Sequence, residues 1–160
     1  WGVVSLTESE AHRGDDEQSL QETYAAMRAK VRESFAVFAA RLPVGQGDHR
    51  LMGTSGTVTT LASVYLNLPS YDRRQIDGLH LPTSAMREIS QTLASRPPKG
   101  RAEFPTIGHE RADLVVAGCA ILETIFDIWP GERLGVADRG IREGILRALM
   151  ASDARRRKRR

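Results

Sequence analysis

The residues best suited to chemistry lie between Leu51 and Ala62, a stretch that reads Leu-Met-Gly-Thr-Ser-Gly-Thr-Val-Thr-Thr-Leu-Ala. A short apolar run enters the turn Gly53-Thr54-Ser55-Gly56-Thr57. A helix-compatible segment carrying Val58, Leu61, Ala62 and Tyr65 leaves it. Glycines let a backbone come close to a ligand. The first amides of a helix point outward, unpaired, at the positive end of its dipole. Thr54, Ser55 and Thr57 add hydroxyls without adding charge, so the arrangement can receive a phosphate. The same residues also suit a Thr/Ser-capped helix start after a tight turn, and the loop alone does not separate the two readings. It is not a P-loop, because no lysine follows the second glycine.

Three arginines extend the anion-binding reading. Arg111 falls in the first turn of an expected helix, and Arg139 and Arg142 flank the turn after the last expected strand. In a parallel sheet the loops at the carboxyl ends of the strands gather on one rim. The loop after Met52 and the turn after Ala137 would both lie there. Arginines on that rim can grip phosphate oxygens in a bidentate way. The plainer reading of each is a surface ion pair, with Glu110 or Glu143 as local partner.

Other chemistries are poorly supplied. His12, His49, His80 and His109 stand singly, without paired spacing or a cysteine partner, so no metal ligands are expected. Gly53-Thr54-Ser55-Gly56 places its second glycine one residue too early for a nucleophile elbow. Cys119, the only cysteine, sits in an apolar helical run and reads as a buried, inert thiol. With no disulfide available, a reducing, cytoplasmic compartment is expected.

The elements that must position these residues follow from periodicity and punctuation. Val3, Val4 and Leu6 read as the end of a strand. Leu20, Tyr24, Met27, Val31, Phe35 and Phe38 recur at steps of three and four, the face of a long amphipathic helix from Asp15 to Leu42. Pro43, Gly45 and Gly47 stop it. Arg50 to Gly53 is a short strand, and the helix after the loop ends near Asn67 to Pro69. Ile76 to Leu81 is a brief alternating piece, and a helix begins at Thr83-Ser84. Arg96-Pro97-Pro98-Lys99-Gly100 is a loop within the domain. One helix is expected from about Gly108 to Trp129, and Gly118 inside it points to close packing. A strand from Leu134 to Ala137 and a helix from Ile141 to Met150 follow. Strands alternating with helices predict an α/β domain with a parallel sheet, thin at three strands.

Composition bounds the rest. At 160 residues, 41% hydrophobic and 27% charged, the chain suits one globular domain. Its net charge of +3 is uneven: six of the 23 basic residues are Arg155 to Arg160, leaving 17 against 20 acidic residues in the body. Residues 153–160 therefore read as a basic, disordered tail on a mildly acidic domain spanning 1–152. Nucleic acid is not expected as a partner, since that would need basic residues across the body. No signal peptide or membrane-length apolar stretch is present. The start at Trp1, mid-pattern, suggests a segment of a longer polypeptide.

Three motifs occur in order: Met52 to Ala62, Glu110-Arg111-Ala112-Asp113-Leu114 running on to Leu122, and Val136-Ala137-Asp138-Arg139-Gly140-Ile141-Arg142-Glu143-Gly144 running on to Leu146. Together with the opening Trp1 to Glu8, they resemble the carboxyl-terminal half of the Ppx/GppA family, exopolyphosphatases and guanosine pentaphosphate phosphohydrolases. The resemblance implies an actin-like ATPase (ribonuclease H-like) fold, of which this chain would be most of the second domain. It implies hydrolysis of the terminal phosphoanhydride of polyphosphate or pppGpp, assisted by Mg²⁺ and a glutamate base. It places Gly53, Thr54, Ser55, Gly56 and Thr57 in a phosphate or nucleotide loop and turns Arg111 toward substrate phosphates. Arg142 and Glu143 match a motif that anchors the last helix. The family's first phosphate loop and catalytic glutamate belong upstream of Trp1, so no catalytic residue is expected here, and the isolated segment is expected to be inactive. The alternative is a non-catalytic module that binds polyphosphate or a guanosine tetra- or pentaphosphate. An uncovered sheet edge would favour a homodimer.

Overall fold

The computed structural model describes residues 1–10, 14–42, 50–54 and 56–157. Ser55, His12, His49, the helix stop at Pro43 to Gly47 and Lys158 to Arg160 lie outside the described residues.

The chain opens with a helix, α1 (Val3–Ser9), where a strand end was expected. No strand of the described residues lies beside it to pair with. Its backbone instead bonds to itself, with Leu6 N–H donating to Gly2 O and Thr7 Oγ1 to Val3 O. The period-two pattern was misleading because Leu6 alone is buried. Helix α2 (Glu17–Arg41) is close to the expected span. Asp16 caps it by accepting from Ser19 N–H at 3.0 Å. Leu20, Tyr24, Met27 and Val31 form its buried stripe. Phe35 and Phe38 close its far end against the Trp129 ring, whose Nε1 donates to Leu42 O.

Next come β1 (Leu51–Gly53), α3 (Gly56–Tyr65), the short α4 (Arg73–Ile76), β2 (His80–Pro82) and α5 (Thr83–Ala94). The Pro-Pro stretch expected to be loop is the helix α6 (Pro98–Ala102), with proline at its start, where no amide is needed. Buried Arg101 fixes it by donating to the carbonyl oxygens of Leu93 and Ala112, which ties the end of α5 to α7. The single helix expected from Gly108 is two, α7 (Gly108–Ala112) and α8 (Val115–Ile128), broken at Asp113-Leu114. Finally β3 (Arg133–Val136) leads to α9 (Ile141–Arg157), which continues through residues 153–157.

The sheet has the order β1-β3-β2. β1 and β3 are parallel, with Gly53 opposite Val136, as a crossover through helices requires. β2 runs antiparallel to β3, which corrects the expectation of a wholly parallel sheet. Gly78 N–H donates to Val136 O and Val136 N–H to Leu79 O, a pairing that runs this segment back along β3. Helices α2, α3 and α5 surround α8, and ten of the 14 residues of α8 are buried. No helix among the described residues is long and apolar enough to cross a membrane.

The close packing expected at Gly118 is present. A Cβ there would lie 2.6 Å from Thr57 Cγ2 and closer still to Thr57 Oγ1. Gly118→Ala is therefore expected to lower stability by about 1–3 kcal/mol through overpacking, although alanine gains ~1 kcal/mol in helix propensity. Denaturant melts would show the loss, and Thr57→Ala in the same chain should recover part of it. A more stable Gly118→Ala would contradict the contact.

Candidate functional site

β1 delivers the loop to the carboxyl edge of the sheet. Gly53 is required there by a close approach, since a Cβ would stand 2.5 and 2.8 Å from the two methyls of Val58. This fold-back seats Val58 in the core and starts α3 directly after Thr54 and residue 55. Thr59 Oγ1 donates to Gly56 O at 3.1 Å, which tightens the first turn of α3. At the bottom of the turn Thr57 rests on Gly118 of α8.

Arg111, on α7, reaches back across the loop, its Nη1 3.5 Å from Thr60 Oγ1. Gly53, Thr54, Gly56, Thr57 and Arg111 thus line one open trough of about 600 Å³. Its floor is apolar, built from Leu51, Val58, Leu114 and Ile121 among others, with Trp1 to Val3 at its far end. The polar groups on the trough wall are hydroxyls, the start of α3 and one guanidinium. That set suits an anion rather than a cation. No carboxylate belongs to its described lining, and no group of three or more His, Cys, Asp or Glu among the described residues could hold a metal ion.

The second arginine group lies on the same rim but outside the trough lining. Ala137 N–H donates to Gly53 O at 2.9 Å, so both loops leave the sheet side by side. Around the turn after β3, Asp138 accepts from Arg73 and Tyr71, and Arg139 Nε is 3.3 Å from Asp77. Glu143 accepts from Gly140 N–H at 2.8 Å, which caps α9 rather than pairing with Arg142. That hydrogen bond holds the Glu143 carboxyl below its ordinary range. Arg142 is exposed on the first turn of α9.

Two features of the site were not read from the sequence. Thr60, the partner of Arg111, is nearly hidden, and its only signal was a second threonine in an otherwise apolar turn. The Tyr71–Arg73–Asp77–Asp138 cluster joins residues more than sixty positions apart, for which no local pattern exists. Cys119 is fully buried on α8 away from the trough, and burial pushes its thiol up to about 12.

Two outcomes follow. Cys119 should resist thiol reagents in the folded chain and react once denaturant is added; rapid labelling without denaturant would contradict its burial. Asp77 accepts from Asp138 N–H at 3.0 Å, which holds its carboxyl below the ordinary 3.8. Its contribution is complete above that value and lost as pH falls through the lower folded value. Relative to the intrinsic exchange rate, hydrogen-exchange protection of the Asp138 amide should therefore fall in acid before that of the core amides.

Comparison with known proteins bears on the family and the fold. The sequence matches the Ppx/GppA phosphatase family over residues 1–153. It is 30% identical over 124 residues to Exopolyphosphatase 2 of Mycobacterium tuberculosis, an alignment covering 78% of this chain and 38% of that protein. An Aquifex aeolicus Ppx/GppA phosphatase structure shares 26% identity at a TM-score of 0.70, over 91% of this chain and 46% of that one. A second Aquifex aeolicus family member matches at a TM-score of 0.74 and 24% identity, over 95% and 47% of the two chains. The present chain therefore spans less than half the length of these relatives. The fold is that of part of an actin-like ATPase domain, and the chain belongs to the Ppx/GppA phosphatase family.

Proposed function

We propose that this chain supplies the phosphate-holding wall of a cytoplasmic phosphohydrolase that releases terminal phosphate from inorganic polyphosphate or from pppGpp. The observation that carries the reading is the convergence of Arg111, the Gly53 to Thr57 loop and the start of α3 on one trough. The polyphosphate side of the proposal draws on the exopolyphosphatase named among the relatives.

In such a reaction negative charge must be held while a phosphoanhydride bond breaks, and fixed donors aimed at the phosphate oxygens lower that barrier. Here the donors are the first amides of α3, the hydroxyls of Thr54 and Thr57, and the Arg111 guanidinium. Thr60 steadies the guanidinium from behind. Arg139 and Glu143 are already engaged in the turn after β3, so they serve this wall by fixing the rim. Arg142 remains a candidate for longer substrates that extend along it.

Magnesium is the ion the family implies. The described trough residues do not suit it, because they offer no carboxylate. The same lack leaves the attacking water without a general base within these residues. Glu110 and Glu143 do not fill that role: neither lines the trough, and Glu143 is held as a helix cap. The absence of a carboxylate from the described lining favours a second reading, a module that binds polyphosphate or an alarmone without cleaving it.

The test is phosphate release from polyphosphate and from pppGpp, measured with this chain alone and joined to the half that its relatives possess. Activity only in the joined form is expected. There, Arg111→Ala should lower kcat/KM about tenfold to 100-fold, the loss of one charge-assisted contact. Arg111→Lys should recover little, for want of the planar fork. Activity of this chain alone would overturn the assignment of the base to other residues. Binding without release in either form would favour the binding module.

A further inference from the structure

We propose that the trough seats the nucleoside of a nucleoside triphosphate by apolar contact, without reading which base it carries. The proposal rests on the phosphate-holding reading above and narrows its substrate class, placing such nucleotides ahead of inorganic polyphosphate.

Charge decides the first point. Among the described lining residues, Arg111 is the one charged side chain. The hydroxyls of Thr54, Thr57 and Thr60 all lie on the loop or the first two turns of α3. Inorganic polyphosphate carries charge along its whole length and has no apolar part. Laid on this floor it would give up hydration along the chain and meet a single guanidinium. A nucleoside triphosphate concentrates its charge at one end, and the trough does the same.

The floor has the surface and the length for the other end. A volume of about 600 Å³ lies within the range of small-molecule sites. Leu114, Gly118, Ile121 and Ile125 recur at steps of three and four, so one face of α8 lines the trough. Beyond Gly118, where Thr57 rests, Ile121 and Ile125 carry the floor about 10 Å further along the helix, away from its α7 end. Leu51 and Leu134 close it from the sheet. Met52, 64% exposed at the lip, is a flexible thioether that can lie against a ring.

The same residues explain the indifference to base. No side chain along this part of the described lining offers an amide or a carboxylate to the edge of a base. Adenine and guanine differ in donors and acceptors more than in apolar surface, so telling them apart needs such groups. An apolar floor with an adaptable methionine accepts both.

The probes are ATP, GTP and inorganic tripolyphosphate, the last carrying the phosphates without a nucleoside. Affinities are measured by calorimetry with divalent ions removed, for this chain alone and for the joined form. Both nucleotides are expected to bind about tenfold to 100-fold tighter than tripolyphosphate, the gain from one large apolar contact. They should lie within about threefold of each other. Met52→Ser, at an exposed position, should weaken both nucleotides and leave tripolyphosphate unchanged. Equal affinity for all three probes would overturn the proposal and leave the phosphate-holding reading standing. So would a nucleoside advantage in this chain that vanishes in the joined form, since the other half would then fill the floor. A strong preference for one base would overturn the indifference. Binding of none of the three, or binding that Arg111→Ala does not weaken, would sink the underlying reading and this proposal with it.

Discussion

The contact between Gly118 of α8 and Thr57 at the start of α3 is the constraint on which the remaining structure depends. It brings two helix backbones closer than any side chain at position 118 would allow. Because α8 is buried on nearly every face, its position is shared by α2 and α5 on one side and by α3 on the other. A shift of α8 would therefore be felt at once in the loop that starts α3. The trough inherits its shape from core packing, not from the loop's own bonds, and close-packed interiors transmit such displacements.

Polar interactions reinforce that arrangement at two depths. Near the surface, Asp127 gathers Arg28, Arg32 and Arg87, joining α2 and α5 to the last turns of α8. Water screens much of the attraction where the arginines are exposed, so the cluster fixes orientation more than it adds stability. Deeper, Glu123 and Arg101 are buried with partners that answer only part of their bonding capacity or answer it through carbonyls. Burial raises the Glu123 carboxyl above its ordinary range, with the attraction of Arg28 opposing it. Such groups are costly to leave unpaired and so specify one packing of the helices.

One apolar face stands apart from this core. Along α9, Ile141, Ile145 and Leu149 recur every four residues and are all exposed, Ile141 at 83%. Met52 on the edge strand β1 is 64% exposed beside the apolar trough. The chain spans under half the length of its solved relatives.

Much was legible from the sequence because it is written in local terms. The stripe from Leu20 to Val31 marked α2, since a helix repeats its buried face every three or four residues. The glycine-threonine loop marked a strand-to-helix turn, and Gly118 marked a close approach, since glycine in a helix interior costs stability unless packing requires it. Three motifs in order pointed to the family. What failed was decided by neighbours. Val3 to Leu6 alternates like a strand, yet with no strand of the described residues beside it the backbone satisfies itself as α1. Pro97-Pro98 reads as a break, yet buried Arg101 makes a helix of the following residues. β2 is antiparallel because Gly78 and Leu79 pair with Val136, across nearly sixty residues. Arg111 was named from its motif, but only tertiary structure could set it against Thr60 and the loop. Periodicity and turn chemistry act within a few residues, whereas pairing, burial and the meeting of distant side chains depend on the whole chain's packing.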